Sequence, residues 1–448
     1  MVWKDLREFL EHLEKQGQLV RIDKQVSTKH EIAAHVRKAC NKGGGPAFLF
    51  DNVDDYPGWR VVAGLYASRE RVAWAMGSTI REAVQEYNRR KMRLIPPRMV
   101  ETAPCQEVVW KGEEADLTKL PIVWHAEKDA GPYITVGVQI TKSPETGIRA
   151  IGIHRQQVMA KNRLGLWAHS ERHIGRAILQ AQERGEVLPV ATVLGASPVL
   201  QLAAIDPAPV DVDEYEIAGA LNGDPVELVK CKTIDLEVPA WAEIVIEGEV
   251  IPGERGTEGP FAEWHGGYGM ERQSPVMRVK AITMRKNPIH QTLLAAGSSP
   301  NESNLMHWIF MTEAIWKAAM SVCPEVRTVK LSDNIAEAVI SIRKRLETEA
   351  VNVIYSALTN VRILKYCTVV DEDVDPYDEN RVRWARLTRV QPVRDVYILP
   401  VMVGVPLDPS GPAEKQSSKM GIDATKKPLD APSIRYDEAI VPGTDTIE

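Results

Sequence analysis

The sequence lacks the patterns that mark several common classes of binding site. Its five cysteines are far apart, odd in number and without a CxxC pair, so neither a disulfide framework nor a cysteine zinc site is indicated. GxGxxG and Walker A sequences are absent, which argues against a Rossmann dinucleotide site and a P-loop. The acidic run Asp371–Asp375 has no later glycine and glutamate of an EF-hand, and we interpret it as a solvated turn.

Long apolar segments are also missing. Acidic residues are spread over the first fifteen positions, which excludes the apolar core of a signal peptide. No uncharged apolar run approaches the ~20 residues that span a bilayer. The formal net charge of -6 does not favour a generic nucleic-acid or anionic-membrane binder. We therefore expect a cytoplasmic protein with no nucleic-acid or membrane partner.

The 448 residues have the composition of a globular protein, with 44% hydrophobic and 26% charged residues. At roughly 150 residues per domain the length predicts about three domains. The predicted fold class is a mixed α+β or α/β multidomain protein. It has an N-terminal α/β domain over 1–115, a central barrel-like domain over 116–303, a linking helix over 304–321 and a C-terminal α/β domain over 322–448.

Local patterns predict the elements within these domains. Alternation over residues 135–141, a turn at 143–147 and an extended segment over 148–158 predict a β-hairpin, and Ala242–Val250 and Val276–Met284 are two further strands. In the last domain Val351–Leu358 is predicted as a strand and Asn334–Thr348 as a helix. The chain after about residue 408, rich in Pro, Gly, Ser and Asp, is predicted as a loop.

The segment Thr257–Gly269 is the densest candidate for acid-base chemistry. Glu258 and Glu263 lie five residues apart across a Gly-Pro turn, with aromatic residues beside them. Apolar neighbours raise the pKa of a carboxyl group and prepare it for proton transfer. A surface turn with solvated glutamates is the alternative, and composition alone leaves it open.

Three further segments contain side chains that could bind charged groups. In the strand Gly152–Gln157, His154 and Arg155 point to opposite faces, and a buried arginine needs an anion or a structural salt bridge. The acidic cluster Asp211–Glu216 could hold a hard cation, or simply favour a helix N-terminus. The segment Ser417–Asp423 offers hydroxyls and a lysine that could hold a phosphate.

In this order the segments resemble the UbiD-like decarboxylases, which use prenylated FMN. Glu258–Glu263 is similar to the family's E-G-P-[FY]-x-[ED], and Gly152–Arg155 to its G-x-x-R strand. Glu214–Gly219 is similar to E-x-x-x-A-G, and Ser418–Thr425 to S-K-[LM]-G-I-D-A-T. The resemblance covers nearly the whole chain and implies that the central domain is a split, flavin-reductase-like β-barrel.

The resemblance also implies a set of site residues. Arg155, Glu258 and Glu263 would form the catalytic network. The implied cofactor contacts are Ile153, His154, Arg155, His173, Glu214 and Lys419, of which Lys419 would pair with the phosphate. His173 and Glu214 would hold Mn2+ or another divalent ion, with K+ as a second ion. The family often has a metal-ligating Asn where this chain has Ala150, and His154 is either a packed core histidine or a cofactor contact.

The implied activity is the reversible, non-oxidative decarboxylation of an aromatic, heteroaromatic or α,β-unsaturated carboxylic acid. A flavin prenyltransferase would supply the cofactor, and the chain would form a homodimer or homohexamer. Ser299 and Asn301 are predicted to face the substrate. The alternative is that this segment caps the linking helix. Two other functions stay open: an FMN-dependent oxidoreductase, and a non-catalytic subunit of a multi-component carboxylase.

Overall fold

The computed structural model describes residues 1–297, 300–405, 408–411 and 416–427. The chain divides into two compact units, Met1–Phe310 and Met311–Glu448. Within the described residues each unit contains both helices and sheets. The prediction of a mixed α/β multidomain protein is therefore confirmed, and the two units are described separately below.

The first unit contains nine α-helices among its described residues, the last of which continues into the second unit. They are α1 (Leu6–Lys15), α2 (Glu31–Cys40), α3 (Arg69–Ala75), α4 (Ala83–Lys91), α5 (His173–Arg184), α6 (Pro198–Ala203), α7 (Glu214–Asn222), α8 (Glu302–Met306) and α9 (Trp308–Met320). Short 3-10 helices cover Pro104–Gln106, Gly112–Glu114 and Leu117–Lys119.

The strands of the first unit are short except for two. They are β1 (Leu19–Ile22), β2 (Ala47–Phe50), β3 (Arg60–Ala63), β4 (Arg98–Met99), β5 (Val108–Lys111), β6 (Tyr133–Ile134), β7 (Val138–Lys142), β8 (Arg149–Ile153), β9 (Gln156–Ala160), β10 (Arg163–Leu166), β11 (Leu188–Leu194), β12 (Glu227–Lys230), β13 (Glu237–Pro239), β14 (Ile244–Glu258), β15 (Phe261–Ala262), β16 (Tyr268–Gly269), β17 (Arg272–Met284) and β18 (Ile289–Gln291).

These strands form four sheets. The largest has nine strands in the order β6-β9-β10-β17-β14-β11-β7-β8, with β5 paired to β17. The other three are β1-β2-β3-β18, β13-β12-β4 and the pair β15-β16. In the described residues the large sheet is an open path and not a closed barrel, so the split barrel stays a prediction.

Two strands cross the predicted boundaries of the central domain. Strand β5 precedes residue 116 but pairs with β17, and β18 follows that residue but pairs with β3 of the N-terminal sheet. Hydrogen bonds thus interleave the N-terminal and central segments within one unit. The boundary positions themselves stay a prediction.

The core of the large sheet forms against helix α5. Its buried residues Ile174, Ala177, Ile178 and Ala181 recur at helical spacing and face the sheet. The helix packs on β7, β8, β11 and β14 and ends at Gly185, whose φ of 67° suits the left-handed conformation that glycine adopts without strain. Burying an isoleucine of this kind contributes about 1.5–3 kcal/mol. This packing places the first residue of α5, His173, beside β8.

Long antiparallel pairing positions the central acidic segment. Strand β14 pairs with β17 from Ile244 opposite Met284 to Glu258 opposite Arg272. The predicted strands over 242–250 and 276–284 are confirmed as β14 and β17: β14 begins two residues later than predicted and continues to Glu258, and β17 begins earlier, at Arg272. The predicted hairpin is present as β7 paired with β8, but the extended segment predicted over 148–158 is divided into β8 and β9 at His154 and Arg155.

Among its described residues the second unit contains one mixed five-stranded sheet. Its helices are α10 (Glu349–Asn360), α11 (Glu379–Arg389) and α12 (Pro392–Asp395). Its strands are β19 (Val326–Leu331), β20 (Glu337–Ile342), β21 (Tyr366–Asp371), β22 (Val396–Val403) and β23 (Gln416–Ala424). The strand order is β19-β20-β21-β23-β22, and α10 packs against β21 and β23.

Several element predictions near the end of the chain are wrong. The predicted strand Val351–Leu358 is helix α10, whose buried residues Ala350, Val353, Ile354, Ala357 and Leu358 follow a helical period. The predicted helix Asn334–Thr348 instead contains β20, a continuous buried strand between two neighbours. The predicted loop after residue 408 contains strand β23. The single linking helix over 304–321 is two helices, α8 and α9, separated at His307.

Among the helices in the described ranges, none is both long and apolar enough to cross a membrane.

Candidate active site

Arg155 lies between β8 and β9 and connects two buried carboxylates. Its Nε donates to Glu258 Oε1 at 2.7 Å and its Nη2 to Glu258 Oε2 at 2.9 Å. Its Nη1 donates to Glu263 Oε1. The exposed fractions are 8% for Arg155, 0% for Glu258 and 5% for Glu263. Three sequence-predicted residues therefore meet in one buried cluster, which we call the Glu-Arg-Glu cluster.

The chain between the two glutamates explains how both reach one guanidinium. Glu258 ends β14, Gly259 turns the chain with a φ of 94°, and Glu263 directly follows the short strand β15. The Glu263 N–H donates to Gly267 O at 2.8 Å, which closes the hairpin onto β16. A Cβ on Gly269 would lie 2.9 Å from Glu263 Oε1. The glycine leaves the space that this carboxylate occupies.

The pKa of Arg155 is set by its pairing with the two glutamates of the cluster. Burial lowers the pKa of the Arg155 guanidinium, but the hydrogen bonds with Glu258 and the charges of Glu263 and Glu258 raise it above its ordinary value. The guanidinium also lies 4.8 Å from the ring centroids of Trp167 and Phe261, where cation–π attraction adds to its stability. Two carboxylates face one guanidinium, so one additional proton makes the cluster neutral.

Three residues that the sequence reasoning missed hold the segment around Glu258 in place. The Asp129 carboxylate accepts from Ala262 N at 2.7 Å and Ala126 N at 2.8 Å. Gln157 Oε1 accepts from both Tyr133 Oη and Gly259 N at 3.1 Å. Burial raises the pKa of Asp129, and burial together with the charge of Glu258 raises the pKa of Tyr133. No pattern in the sequence indicated Asp129 or Tyr133, because both are distant from Glu258 along the chain.

Arg272 is a second guanidinium beside the cluster, and it was also missed. It begins β17 directly opposite Glu258, and its Cζ lies 4.7 Å from the Trp167 ring centroid. Burial and the positive charge of Arg155 lower the pKa of Arg272. Arg272 precedes the strand predicted over 276–284, and its position opposite Glu258 follows only from the strand pairing of the folded chain.

His173 and Glu214 meet at the N-termini of two helices. His173 Nδ1 and Glu214 Oε1 are 2.6 Å apart, and Glu214 Oε2 accepts from Ile151 N at 3.2 Å. The hydrogen bond to Glu214 raises the pKa of His173, while burial raises the pKa of Glu214. Asp213 caps helix α7 by accepting from Tyr215 N, so part of the acidic cluster has a structural role.

Within the described residues no three His, Cys, Asp or Glu side chains form a metal-binding group. The position of the family asparagine, Ala150, is a buried apolar residue of β8. An imidazole and a carboxylate suit a divalent cation only when other oxygen ligands complete its coordination.

Ile153 is the last residue of β8 and His154 follows it, next to the pair His173 and Glu214. The His154 main chain bonds on both sides to the Gln139 amide, at 2.7 and 2.9 Å. A Cβ on Gly152 would lie 3.0 Å from His154 Nε2, so the imidazole lies over that glycine. Burial and the nearby charges of Arg172, His169 and His173 lower the pKa of His154 to about 3, which favours a neutral ring.

The predicted substrate residues have a mixed outcome. Ser299 lies outside the described residues. Asn301 is fully buried and caps α8, accepting from Asn304 N at 2.9 Å, while its Nδ2 donates to Trp264 O at 2.9 Å. The helix-cap alternative is thus present, and the same side chain holds the residue next to Glu263. A direct contact with substrate stays a prediction.

Lys419 lies on β23 of the second unit and is 2% exposed. Its Nζ donates to Leu358 O at 2.6 Å and Val361 O at 3.1 Å. Burial lowers the pKa of Lys419 to about 8. These main-chain bonds account for its buried amine without a phosphate, and its predicted role at the cofactor stays a prediction.

Comparison with known proteins matches the chain from residue 10 to residue 424. Family models of the 3-octaprenyl-4-hydroxybenzoate carboxy-lyase (UbiD) match in order. The N-terminal domain matches 10–91, the Rift-related domain 98–298 and the C-terminal domain 305–424.

Three solved structures are similar over almost the entire chain. The UbiD-class enzyme HmfF from Pelotomaculum thermopropionicum in complex with FMN is 39% identical, covers 99% of both chains and has a TM-score of 0.92. An evolved dimeric form of that enzyme in complex with prFMN is 37% identical, with a TM-score of 0.88 over 100% of this chain and 99% of that chain. Vanillic acid decarboxylase of Sedimentibacter hydroxybenzoicus in closed form is 33% identical, with a TM-score of 0.87 over 100% of this chain and 98% of that chain.

Proposed function

The chain belongs to the UbiD family, and on that premise we propose that it catalyses the reversible, non-oxidative decarboxylation of an unsaturated or aromatic carboxylic acid with prenylated FMN. It is a carboxy-lyase. The observation that carries the proposal is the Glu-Arg-Glu cluster, in which one guanidinium joins two buried carboxylates. Prenylated FMN supplies, when bound, the electron sink that loss of CO2 from an sp2 carbon requires.

The contacts of the two glutamates favour different roles for them. Arg155 bonds both oxygens of Glu258 but only Oε1 of Glu263. Within the described part of the chain, Glu263 Oε2 has no hydrogen-bond partner and is free to hold a proton. We therefore assign Glu263 as the acid that protonates the carbon after CO2 leaves. Arg155 orients both carboxylates, and Glu258 completes the network. Proton transfer by a positioned acid typically contributes 10²–10⁴-fold to the rate.

We propose that His173 and Glu214 lie at the phosphate end of the cofactor. Both begin helices of at least nine residues, and helix N-termini favour bound phosphate. We propose that the pair holds Mn2+ or another divalent cation, with phosphate oxygens and water completing the coordination, and K+ as a second candidate ion. Ile153 and His154 would contact the cofactor from β8, and the large sheet would act as the split barrel that surrounds it. Metal analysis of the loaded protein tests this assignment, and Glu214→Gln should lower both metal and flavin retention.

The test begins with protein coexpressed with a flavin prenyltransferase. We expect the released cofactor to have the mass of prenylated FMN and the holoenzyme to release CO2 from members of an aromatic acid panel. In D2O the product should carry deuterium at the carbon that lost CO2. Consumption of NAD(P)H with unmodified FMN and no CO2 release would instead favour an oxidoreductase. Light scattering then measures whether the protein is a homodimer or a homohexamer, as we propose.

The acid assignment is tested by Glu263→Gln. This variant keeps the shape of the side chain and removes its exchangeable acidic proton, so CO2 release should fall by at least about 100-fold with an unchanged flavin spectrum. Glu271→Gln is the matched control, because Glu271 is exposed and close in sequence. Near-normal turnover in Glu263→Gln would contradict the assignment.

A further inference from the structure

Among the described residues Arg272, unlike Arg155, forms no ion pair with a carboxylate, although the charges of Glu258 and Glu263 act on it. The guanidiniums of both residues lie against the Trp167 ring, with Cζ 4.7 and 4.8 Å from its centroid. Arg155 directs Nε, Nη1 and Nη2 to carboxylate oxygens. In the described ranges no carboxylate lies within ion-pair distance of Arg272, and its buried Nε has no hydrogen-bond acceptor.

An arrangement of this kind is costly unless a ligand completes it. A buried N–H without an acceptor loses its hydrogen bond to water and gains nothing in return. A partly desolvated charge beside another charge of the same sign adds to that cost. The Trp167 ring offsets part of it through cation–π attraction, but Nε still has no hydrogen-bond acceptor among the described residues. An anion whose oxygen lies beside Arg272 would accept the hydrogen bond from Nε and balance the positive charge.

The charges of Arg272 and the Glu-Arg-Glu cluster indicate when that anion is needed. Arg155, Arg272, Glu258 and Glu263 sum to zero when both glutamates are ionised. Once Glu263 holds the proton that it delivers, the four groups sum to +1, and the excess charge lies at Arg272 because Arg155 remains bonded to Glu258. From this geometry we propose that Arg272 binds a carboxylate group of the substrate and thereby determines specificity for anionic substrates. The inference rests on the proposed function.

The carboxylate could come from two sources on the same molecule. It could be the departing group, whose charge is lost as CO2 leaves, or a second acidic substituent that the product retains. A contact that persists through the reaction affects substrate and transition state equally and changes KM, not kcat. A contact with the departing group weakens as the reaction proceeds, so its removal raises KM without weakening the binding of the product.

The test measures binding of benzoate and benzamide to flavin-loaded protein by calorimetry. The two probes have nearly the same shape and differ in charge. We expect wild-type protein to bind benzoate more tightly. In Arg272→Met, which keeps an unbranched apolar side chain and removes the charge, benzoate affinity should fall by about 10- to 100-fold with benzamide affinity unchanged. Arg272→Lys should recover only part of the preference, since lysine keeps the charge but loses the planar fork.

Arg278→Met is the matched control. Arg278 lies on the same strand, is largely exposed and pairs with Glu254, so its removal should leave both affinities unchanged. Thermal unfolding of each variant shows whether the fold is retained. The source of the carboxylate is then determined by comparing Arg272→Met with wild type on the best acid of the panel. A higher KM with unchanged affinity for the product indicates that Arg272 binds the departing carboxylate. Weaker binding of both substrate and product indicates that it binds a substituent that the product retains.

Two results would overturn the inference. One is an Arg272→Met protein that still prefers benzoate over benzamide as wild type does. The other is a loss of flavin on purification of Arg272→Met, which would assign the guanidinium to the cofactor phosphate. Failure of the proposed function looks different, because wild-type protein would then release no CO2 from any acid while its preference for benzoate could still depend on Arg272.

Discussion

Replacing Arg155 with methionine is the sharpest test of the Glu-Arg-Glu cluster. The change leaves Glu258 and Glu263, which are 0% and 5% exposed, without their cation. Three charge-assisted hydrogen bonds at about 1.5–3 kcal/mol each would sum to more than a buried ion pair usually contributes, but bonds within one network are not additive. Removing one partner of a buried pair costs about 3–5 kcal/mol. Because the positive charge of Arg272 also acts on Glu258 and Glu263, we expect a loss at the lower end of that range, about 3 kcal/mol.

The assay is urea unfolding at pH 7, followed by tryptophan fluorescence and by circular dichroism. The free energy of unfolding of the first unit should fall by the expected amount with an unchanged slope in urea. The double variant Arg155→Met with Glu258→Gln should be more stable than the single variant, because glutamine removes one uncompensated buried charge at nearly constant volume. Lys161→Met, which removes the partner of the exposed Glu113, should not change stability and serves as the control.

Two outcomes would refute this reasoning. A single variant as stable as wild type would mean that the buried carboxylates do not depend on Arg155. A double variant less stable than the single variant would mean that the lost stability comes from packing and not from unpaired charge.

Two further predictions concern activity and pH. Gly269→Ala places a Cβ 2.9 Å from Glu263 Oε1 and should displace that carboxylate. We expect kcat to fall by about 10- to 100-fold while the flavin spectrum stays unchanged. A normal kcat would contradict this prediction. Burial raises the pKa of Glu302 from 4.5 to about 7, so the folded chain binds the carboxyl proton more tightly than the unfolded chain does. The free energy of unfolding should therefore fall by about 3 kcal/mol as pH rises from about 4.5 to 7. Glu302→Gln should remove that fall, measured by urea midpoints at pH 5 and 8; an equal fall in both proteins would contradict it.

Local patterns in the sequence predicted those elements whose own residues carry the signal. The hairpin β7-β8 and the strands β14 and β17 alternate or cluster apolar residues along the chain, and turn residues mark their ends. Helix α10 shows the limit of such patterns. Its segment Val351–Leu358 is rich in residues that favour strands, yet packing on β21 and β23 buries a helical set of positions and overrides propensity.

The residues of the candidate site also form two groups, those that the sequence identified and those that it did not. Glu258 and Glu263 were identified from one short segment, and Arg155 from another, because each segment has a distinctive order of residues. Asp129, Tyr133, Trp167 and Arg272 carry no such order, and their roles depend on contacts between residues distant in sequence.

The sequence by itself therefore determined the kind of chemistry this protein contains: two carboxylates, an arginine and a histidine-glutamate pair in the order typical of one family. Only the tertiary structure decided how those groups share charge. Strand pairing sets Arg272 opposite Glu258, and the folded hairpin brings Glu263 to the Nη1 side of Arg155. Burial then makes each unpaired charge or N–H costly. That cost depends on distance and solvent exclusion in three dimensions, which the order of residues along a chain does not contain.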